Sequence, residues 1–366
     1  MKSLIFSLSY FPMVGGAEIA IKEITDRISK SDIEFDLVTM RFNKKEPRFE
    51  VVGNVNVYRI GGGFGYLSKI VFVIQAILFA LKRNYDFYWV IMTYMLFPVS
   101  ILRFLGLKTP YVLTLQDGDP FEKVFKRKRI YALLPILKYG FRHANKVHAI
   151  SGFLAKWALD MGHKNNVEII PNGVDIKKFK KTKQKFFEKG LVKLITTSRL
   201  VEKNGVSDII KSLKYLPENV YLDILGAGPL EIELKTLTKK LDLESRVFFH
   251  GFVNPEKLPE KLAGADIFVR PSLSEGMGNS FIEAMASGLP VIATPVGGIL
   301  DFIDDRETGL LCNPRDPESI ATAVKILIQD ESLRNKIVQN GIKLSNDKYD
   351  WDLITKKIKD SLFKLK

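Results

Sequence analysis

Short apolar runs rich in β-branched residues alternate with amphipathic stretches from one end of the chain to the other. That alternation predicts βα units, and hence parallel sheets covered by helices. In the first half the strand candidates include Leu4–Ser9, Phe35–Met40, Val55–Ile60, Tyr88–Met92, Tyr111–Leu115 and Val147–Ile150. In the second half they include Leu191–Ser198, Val220–Leu225, Val247–Gly251, Ile267–Pro271 and Val291–Ala293. Between the two sets lies Lys177–Lys189, with seven lysines against the single acid Glu188. This stretch has few residues to bury and reads as an interdomain linker, separating an N-terminal α/β domain over 1–176 from a C-terminal one over 190–345. The run YLSKIVFVIQAILFALKR, from Tyr66, reads as a core helix, with a membrane-facing helix as the alternative. The closing segment reads as an amphipathic helix with Trp351, Leu353, Ile354, Ile358, Leu362 and Phe363 on its apolar side. So apolar a helix must dock, and periodicity does not say on which domain.

Composition narrows the class. The 366 residues suffice for two domains, and 46% hydrophobic with 26% charged residues is a globular balance, unlike a disordered, collagen-like or disulfide-stapled chain. The single cysteine, Cys312, leaves no internal disulfide and no cysteine zinc cluster. His143, His148, His163 and His250 lack metal-ligand spacing, so no metal is expected. The longest uncharged stretch, Phe87 to Leu102, has 16 residues and contains Pro98, short of the about 20 that a spanning helix needs. The opening MKSLIFSLSYFP is stopped by Pro12 before it makes a signal-peptide core. The expectation is a cytoplasmic protein, with peripheral attachment to the inner face of the cell membrane left open. A net charge of +14 adds a polyanionic partner: nucleic acid, anionic membrane or phosphorylated substrate.

Half of that excess is local. Residues 121–150 hold eight Lys/Arg, clustered at Lys123, Lys126, Arg127, Lys128 and Arg129 and continuing through Lys138, Arg142 and Lys146, against Glu122 alone. Phe121, Phe125, Tyr131, Leu133, Leu134, Ile136 and Leu137 are interleaved with them. A basic, aromatic-rich amphipathic stretch fits a membrane surface; a solvated basic face over ordinary core packing is the plainer alternative.

The densest chemistry lies in SEGMGNSFIEAMASGLPVIAT, residues 274–294. Gly276 and Gly278 open a turn after a strand, and Ser280 to Glu283 has the spacing of a capping box, which predicts a helix starting at Ser280. Gly288 and Pro290 stop it. A glycine-rich turn feeding a helix N-terminus offers backbone N–H groups and the positive dipole end to an anion such as a diphosphate. Glu275 and Glu283, eight residues apart, would be separated by at most about 12 Å on a helix. That is too far to share a proton, yet suited to gripping two ends of a long ligand. Taken singly, Glu283 is equally a capping glutamate and Glu275 a solvated loop acid.

In TTSRLVEKNGVSDII, Arg199 and Lys203 follow a strand and precede a helix, at the edge where α/β sheets bind ligands. A forked donor and a point charge suit a diphosphate, although an Arg and a Lys in a loop are also an ordinary solvated surface. LDILGAGPLE places Gly226 and Gly228 after a strand but lacks the third glycine of a dinucleotide fingerprint, so a nicotinamide cofactor is not indicated. Near the start of the chain, Gly15 and Gly16 precede a helix beginning near Ala17. This is a second helix N-terminus for a phosphate or a closely packed acceptor, or a plain βα turn.

Together these segments resemble the retaining family 4 glycosyltransferases of GT-B fold. The likeness is carried by GGAE at 15–18, SGFLAKW from Ser151, IIPNGVD at 169–175, SRLVEKNG at 198–205, GAGP at 226–229 and FFHGFV at 248–253. It continues through ADIFVRPS at 265–272, the pair Glu275 and Glu283, ASGLPVIAT at 286–294, VGGILDFI at 296–303 and the tail containing Trp351. The resemblance implies an α/β architecture of two Rossmann-like domains facing a cleft, with the C-terminal helix (346–366) crossing back to the N-terminal domain. It also implies a nucleotide-sugar donor, UDP- or GDP-linked, held mainly by the C-terminal domain, and no other cofactor. By position, Glu283 would hold the ribose and Glu275 would face the donor sugar. Gly278, Asn279 and Ser280 would meet the diphosphate, with Arg199 and Lys203 neutralising it, and Gly276 would be part of the donor site. Gly226 belongs to the same donor site, and Phe252 and Val253 would line the base pocket. Gly16 would sit against the donor phosphate or the acceptor, and Gly15, Gln116 and Asp117 would fall on the acceptor side.

This chain departs from the family pattern twice. Many members carry a lysine directly before the glycine of the Arg-containing loop, where this chain has Asn204 with Lys203 one place earlier. Many have a histidine in a TxHD-like turn, where this chain reads LTLQDGDP. Gln116 at that place can hydrogen-bond a hydroxyl but cannot act as a base. The implied reaction is front-side attack of an acceptor hydroxyl on the anomeric carbon, with retained configuration. The leaving diphosphate oxygen takes the proton, while Arg199, Lys203 and the helix N-terminus stabilise the developing charge. The implied partners are a nucleotide-sugar and a glycan or lipid-linked acceptor, to which the basic stretch 121–150 adds an anionic membrane surface. The rival readings are another GT-B enzyme, such as a nucleotide-sugar epimerase or hydrolase, and a non-catalytic polyanion binder. No nucleic-acid-binding signature supports the last, and no nucleic-acid partner is expected.

Overall fold

The computed structural model describes residues 1–62, 67–180, 186–361 and 363–365, without the side chains of Lys128, Arg129 and Lys189. Tyr66, Leu362 and residues 181–185 of the expected linker therefore lie outside the described residues. The chain divides into two units, one formed by Met1–Gly173 with Trp351–Lys366 and the other by Val174–Asp350.

The first unit is built on a sheet of β1 (Lys2–Phe6), β2 (Glu34–Met40), β3 (Phe49–Val52), β4 (Val55–Ile60), β5 (Phe87–Ile91), β6 (Tyr111–Leu115), β7 (Lys146–Ala149) and β8 (Val167–Ile169). Their order is β3-β4-β2-β1-β5-β6-β7-β8. Only β3 runs antiparallel, at the edge. Parallel neighbours need helical crossovers, which cover both faces of a sheet; every residue of β5 and β6 is accordingly buried. The second unit carries β9 (Val192–Thr197), β10 (Val220–Leu225), β11 (Val247–Gly251), β12 (Ile267–Arg270), β13 (Val291–Ala293) and β14 (Leu310–Leu311). These are all parallel, in the order β11-β10-β9-β12-β13-β14. In each sheet the order reverses beside the first strand: β1 lies between β2 and β5, and β9 between β10 and β12. Open parallel sheets bind ligands outside the carboxyl ends of their strands at such a switch point. Topology therefore directs attention to the residues that follow β1, β5, β9 and β12.

The last helix, Trp351–Ser361, belongs to the first unit and packs on the helix Gly16–Asp26. Trp351, Ile354, Ile358 and Phe363 are buried. Leu353 is exposed, correcting its expected place on the apolar side; it lies about 200° round the helix from Trp351. The Phe363 ring sits among Phe35, Phe87 and Trp89, with centroids 6.2, 5.2 and 5.1 Å away. Phe363→Ala is expected to destabilise the protein by about 3 kcal/mol, read as a lower urea midpoint. An unchanged midpoint would mean that the tail is not docked in solution.

The run expected to be a core helix forms Leu67–Leu81, but only one side of it is covered. Ser68, Phe72, Ala76 and Ala80 are buried, whereas Leu67, Ile70, Ile74, Leu78 and Leu81 are exposed. The helix packs on β2, β4 and the helix Leu96–Phe104. Among the described residues no helix is long and apolar enough to cross a membrane.

Candidate active site

At the carboxyl end of β9 the chain passes through Ser198 and Arg199 into a short 3-10 turn, Glu202–Asn204. Arg199 is exposed, and its guanidinium has no ion-pair partner among the described residues. Lys203 is half-buried, and its carbonyl accepts the Leu273 N–H at 2.6 Å, tying this loop to the one after β12. Asn204 is buried. Its amide donates to the Arg199 carbonyl at 2.7 Å, and its Oδ1 accepts from Arg270 Nη2 at 3.1 Å.

Arg270, the last residue of β12, organises the cluster. Its Nη1 donates to Ser280 Oγ at 2.7 Å, its Nη2 also bonds a Glu275 carboxylate oxygen, and its guanidinium lies 5.6 Å from the Phe281 ring centroid. The other Glu275 oxygen accepts the Gly276 N–H at 3.1 Å. Glu275 is buried, so it is not a solvated loop acid but half of a desolvated ion pair, each member depending on the other.

The glycine-rich turn feeds the helix Asn279–Ala286, whose N-cap is Gly278 at φ 93°. The capping box expected between Ser280 and Glu283 is not formed. Ser280 lies inside the helix, and its oxygen accepts from Arg270 instead. The helix opens one residue early because Gly278 takes a left-handed conformation; a Cβ there would also lie 2.7 Å from the Phe281 ring. No side chain of the cap accepts from the helix N-terminus, which leaves its positive end to a ligand. Glu283 stands one turn further in. Burial pushes its carboxyl up to about 7, against the opposing pull of Arg270 and Lys178. Since only Glu283 of the two glutamates is helical, the helical spacing assumed for the pair does not apply.

Around this cluster the Thr196, Thr197, Ser198 and Ser272 hydroxyls and Arg270 Nε are buried without a hydrogen-bond partner among the described residues. Buried polar groups are ordinarily paired. Five unmet groups at the ends of two adjacent strands suit an oxygen-rich ligand. Gly226, after β10, is a glycine for a packing reason: a Cβ would lie 1.8 Å from the Ser198 carbonyl. Phe252, exposed, and Val253, half-buried, follow β11 at the sheet edge, and the structure does not bring them into the Arg270 cluster.

In the first unit a second group forms next to the switch point, where the chain leaves β5 and β6. Asp117, after β6, is buried and accepts from Thr93 N–H and Oγ at 3.2 and 3.0 Å. Burial pushes its carboxyl up to about 6 in spite of those bonds. Gln116 Oε1 accepts from Asn172 at 3.1 Å, while its Nε2 is buried without a hydrogen-bond partner among the described residues. The helix Gly16–Asp26 begins at Gly16, and the Gly15 N–H donates to Glu18 Oε2 at 2.9 Å. The other Glu18 oxygen accepts from Ser9. The Glu18 carboxylate would repel a phosphate brought beside Gly15, whereas an uncharged sugar hydroxyl there meets no such repulsion. His148 is structural: its Nε2 lies 2.6 Å from the Ile170 carbonyl, and burial pushes it down to about 4, leaving the ring neutral.

Residues 14–178 match the family profile described as Glycosyltransferase Family 4, and residues 177–344 match Glycosyl transferases group 1. The chain belongs to glycosyltransferase family 4. An uncharacterised glycosyltransferase of Methanocaldococcus jannaschii is 28% identical to it, over 97% of this chain and 96% of its own. A GDP-mannose-dependent α-(1-6)-phosphatidylinositol monomannoside mannosyltransferase of Mycobacterium tuberculosis is 27% identical, over 63% of this chain and 66% of its own. The crystal structure of Anabaena HepE in complex with UDP and glucose shares the fold with a TM-score of 0.81, at 23% identity and full coverage of both chains. The fold is GT-B: two parallel-sheet α/β domains.

In this glycosyltransferase the organising cation is Arg270, which sequence reasoning did not single out. Its signal is a charge closing the apolar strand IFVR, and that looks the same as a strand running out into solvent. Thr93, Asn172 and Glu18 were likewise missed, since each acts through a partner distant in sequence or through its own backbone turn. Only Glu18 left a local trace, as an acid three residues after the N-cap glycine.

Proposed function

We propose that the enzyme transfers a sugar from a nucleotide-diphosphate sugar to a hydroxyl acceptor with retention of anomeric configuration, the acceptor being lipid-linked or membrane-proximal. The observation that carries this reading is the gathering of Arg199, Asn204, Arg270, Glu275 and the Asn279–Ala286 N-terminus at the β9/β12 switch point, beside buried hydroxyls that lack partners. The UDP complex of HepE and the GDP-mannose dependence of the mycobacterial relative support a nucleotide-sugar donor, and that relative's lipid acceptor supports a membrane-proximal one. Among the described residues no group of three His, Cys, Asp or Glu could hold a metal. In this reading Arg199 and Lys203 meet the diphosphate and Glu283 accepts from the ribose. The departing phosphate oxygen takes the acceptor proton, and no side chain is assigned as nucleophile or base. The enzyme would work as a peripheral protein on the inner face of the cell membrane, where the basic segment 121–150 meets anionic lipid.

A thermal-shift panel of nucleoside diphosphates tests the donor. A diphosphate at 100 times its dissociation constant stabilises by about 2.7 kcal/mol, so UDP or GDP is expected to raise the melting temperature; a flat panel would contradict the reading. Arg199→Ala is expected to cut turnover by about 10²–10³-fold while weakening nucleotide binding far less, because the charge it meets grows in the transition state. Full turnover with weakened donor binding would make Arg199 a ground-state anchor.

A further inference from the structure

The helix Leu67–Leu81 is apolar apart from Ser68, Lys69 and Gln75, and it is buried on one side only. Its outward stripe consists of Leu67, Ile70, Ile74, Leu78 and Leu81, which are 63, 54, 52, 49 and 47% exposed. At 100° per residue these five lie within about 80° of one another, opposite Phe72 and Ala76. Scattered exposed aliphatics need no explanation, but a continuous stripe along four turns marks an interaction surface. The helix is about 22 Å long, too short to span the about 30 Å hydrocarbon core, and its other face is held on the sheet.

Charge identifies the occupant. Residues 41–83, which contain both this helix and the segment before it, carry eight Lys/Arg against two acids, Glu46 and Glu50, a net +6. A cavity of about 380 Å³ adjoins the flank of this helix at Val71 and Gln75, and its other walls include Arg41, Lys44 and Arg48. The two acids nearest in sequence, Glu46 and Glu50, are turned to the buried Arg59. Arg41 donates to the Glu46 and Lys44 carbonyls, and among the described residues no carboxylate pairs with Arg41, Lys44 or Arg48. Phe42 and Phe49, in the same segment, are exposed. An apolar stripe with a basic hollow at its side matches acyl chains beneath anionic headgroups, whereas a second copy of so basic a surface would be repelled.

We propose that the outward face of Leu67–Leu81 and the Arg41–Lys44–Arg48 hollow dock this enzyme on an anionic bilayer. The proposal rests on the membrane-proximal acceptor of the preceding reading and adds to the basic segment 121–150 an apolar surface that would hold the enzyme there. The test is co-sedimentation with vesicles of phosphatidylglycerol in phosphatidylcholine, against phosphatidylcholine alone, at low and physiological salt. Ile70→Ser/Ile74→Ser/Leu78→Ser is expected to lower binding by about tenfold or more at both salts. Lys44→Glu/Arg48→Glu is expected to do so most strongly at low salt, where screening is weakest. Melting temperature and donor turnover in solution should match the wild type, since none of these residues lies in the Arg270 or Asp117 clusters. If the triple variant melts lower, Ile74→Glu alone repeats the test. Wild type that ignores anionic vesicles, or serine variants that bind as wild type, overturn the proposal. So does a wild-type dimer that the serine variant splits, which would assign the stripe to self-association. Lost vesicle binding with intact solution turnover concerns this surface alone. Vesicle binding without donor turnover would instead count against the glycosyltransferase reading.

Discussion

Arg270→Ala is expected to be the most damaging single substitution in the protein. It strands the buried Glu275 carboxylate and removes the donor to Asn204 and Ser280 at once. Breaking a buried ion pair from one side costs about 3–5 kcal/mol, and turnover should fall by about 10²–10³-fold as the loops bearing Arg199 and Glu275 lose their common anchor. Arg270→Leu combined with Glu275→Gln should recover much of the stability, because no charge is then left buried, but little of the turnover. Urea unfolding and initial rates on the three proteins check this. An Arg270→Ala protein within about 1 kcal/mol of wild type would show that the cluster is solvated rather than a desolvated anchor.

The second large effect is a dependence on pH. In the folded protein Glu283 titrates at about 7 rather than at its ordinary 4.5, with burial as the first cause. The folded state therefore holds a proton that the unfolded state has released. The stability this contributes is fully present below about pH 4.5 and is lost as the pH rises through about 7, a difference of about 3 kcal/mol. Glu283→Gln should remove that slope and make the free enzyme more stable at pH 8. Donor affinity should move the opposite way: the ionised carboxylate is the better acceptor for ribose hydroxyls, so wild-type affinity should rise from pH 5.5 to 8, and the glutamine variant should bind more weakly without the rise. Matching pH profiles for the two proteins would remove Glu283 from the donor site.

Much of the fold was legible because buried parallel strands write themselves as unbroken apolar runs. Tyr111–Leu115 and Val220–Leu225 were bounded to the residue. Phe49–Val52 was missed because only β4 flanks it and its residues alternate between exposed and half-buried, and Leu310–Leu311 because two residues make no pattern. The site was legible where glycines and charges follow strands, and misread where a local rule lost to a tertiary partner. The Ser280–Glu283 spacing is that of a capping box, yet Arg270 takes the Ser280 oxygen and Gly278 begins the helix. The departure at Asn204 became intelligible only with Arg270 in place. The amide bridges the Arg199 carbonyl and the Arg270 guanidinium, a position where a lysine would set one cation against another. For Leu67–Leu81, periodicity could not say which face is covered, because twelve of its fifteen residues are apolar and they run round the helix.

The most direct measurement is to incubate the enzyme with α-configured UDP- and GDP-sugars and follow the anomeric protons by NMR while water serves as the slow acceptor. Retaining transfer predicts that the first sugar released is the α anomer, with one nucleoside diphosphate per sugar, and that Arg199→Ala suppresses both signals together. First appearance of the β anomer would contradict retention. Release of no diphosphate from any donor would contradict the proposed activity itself.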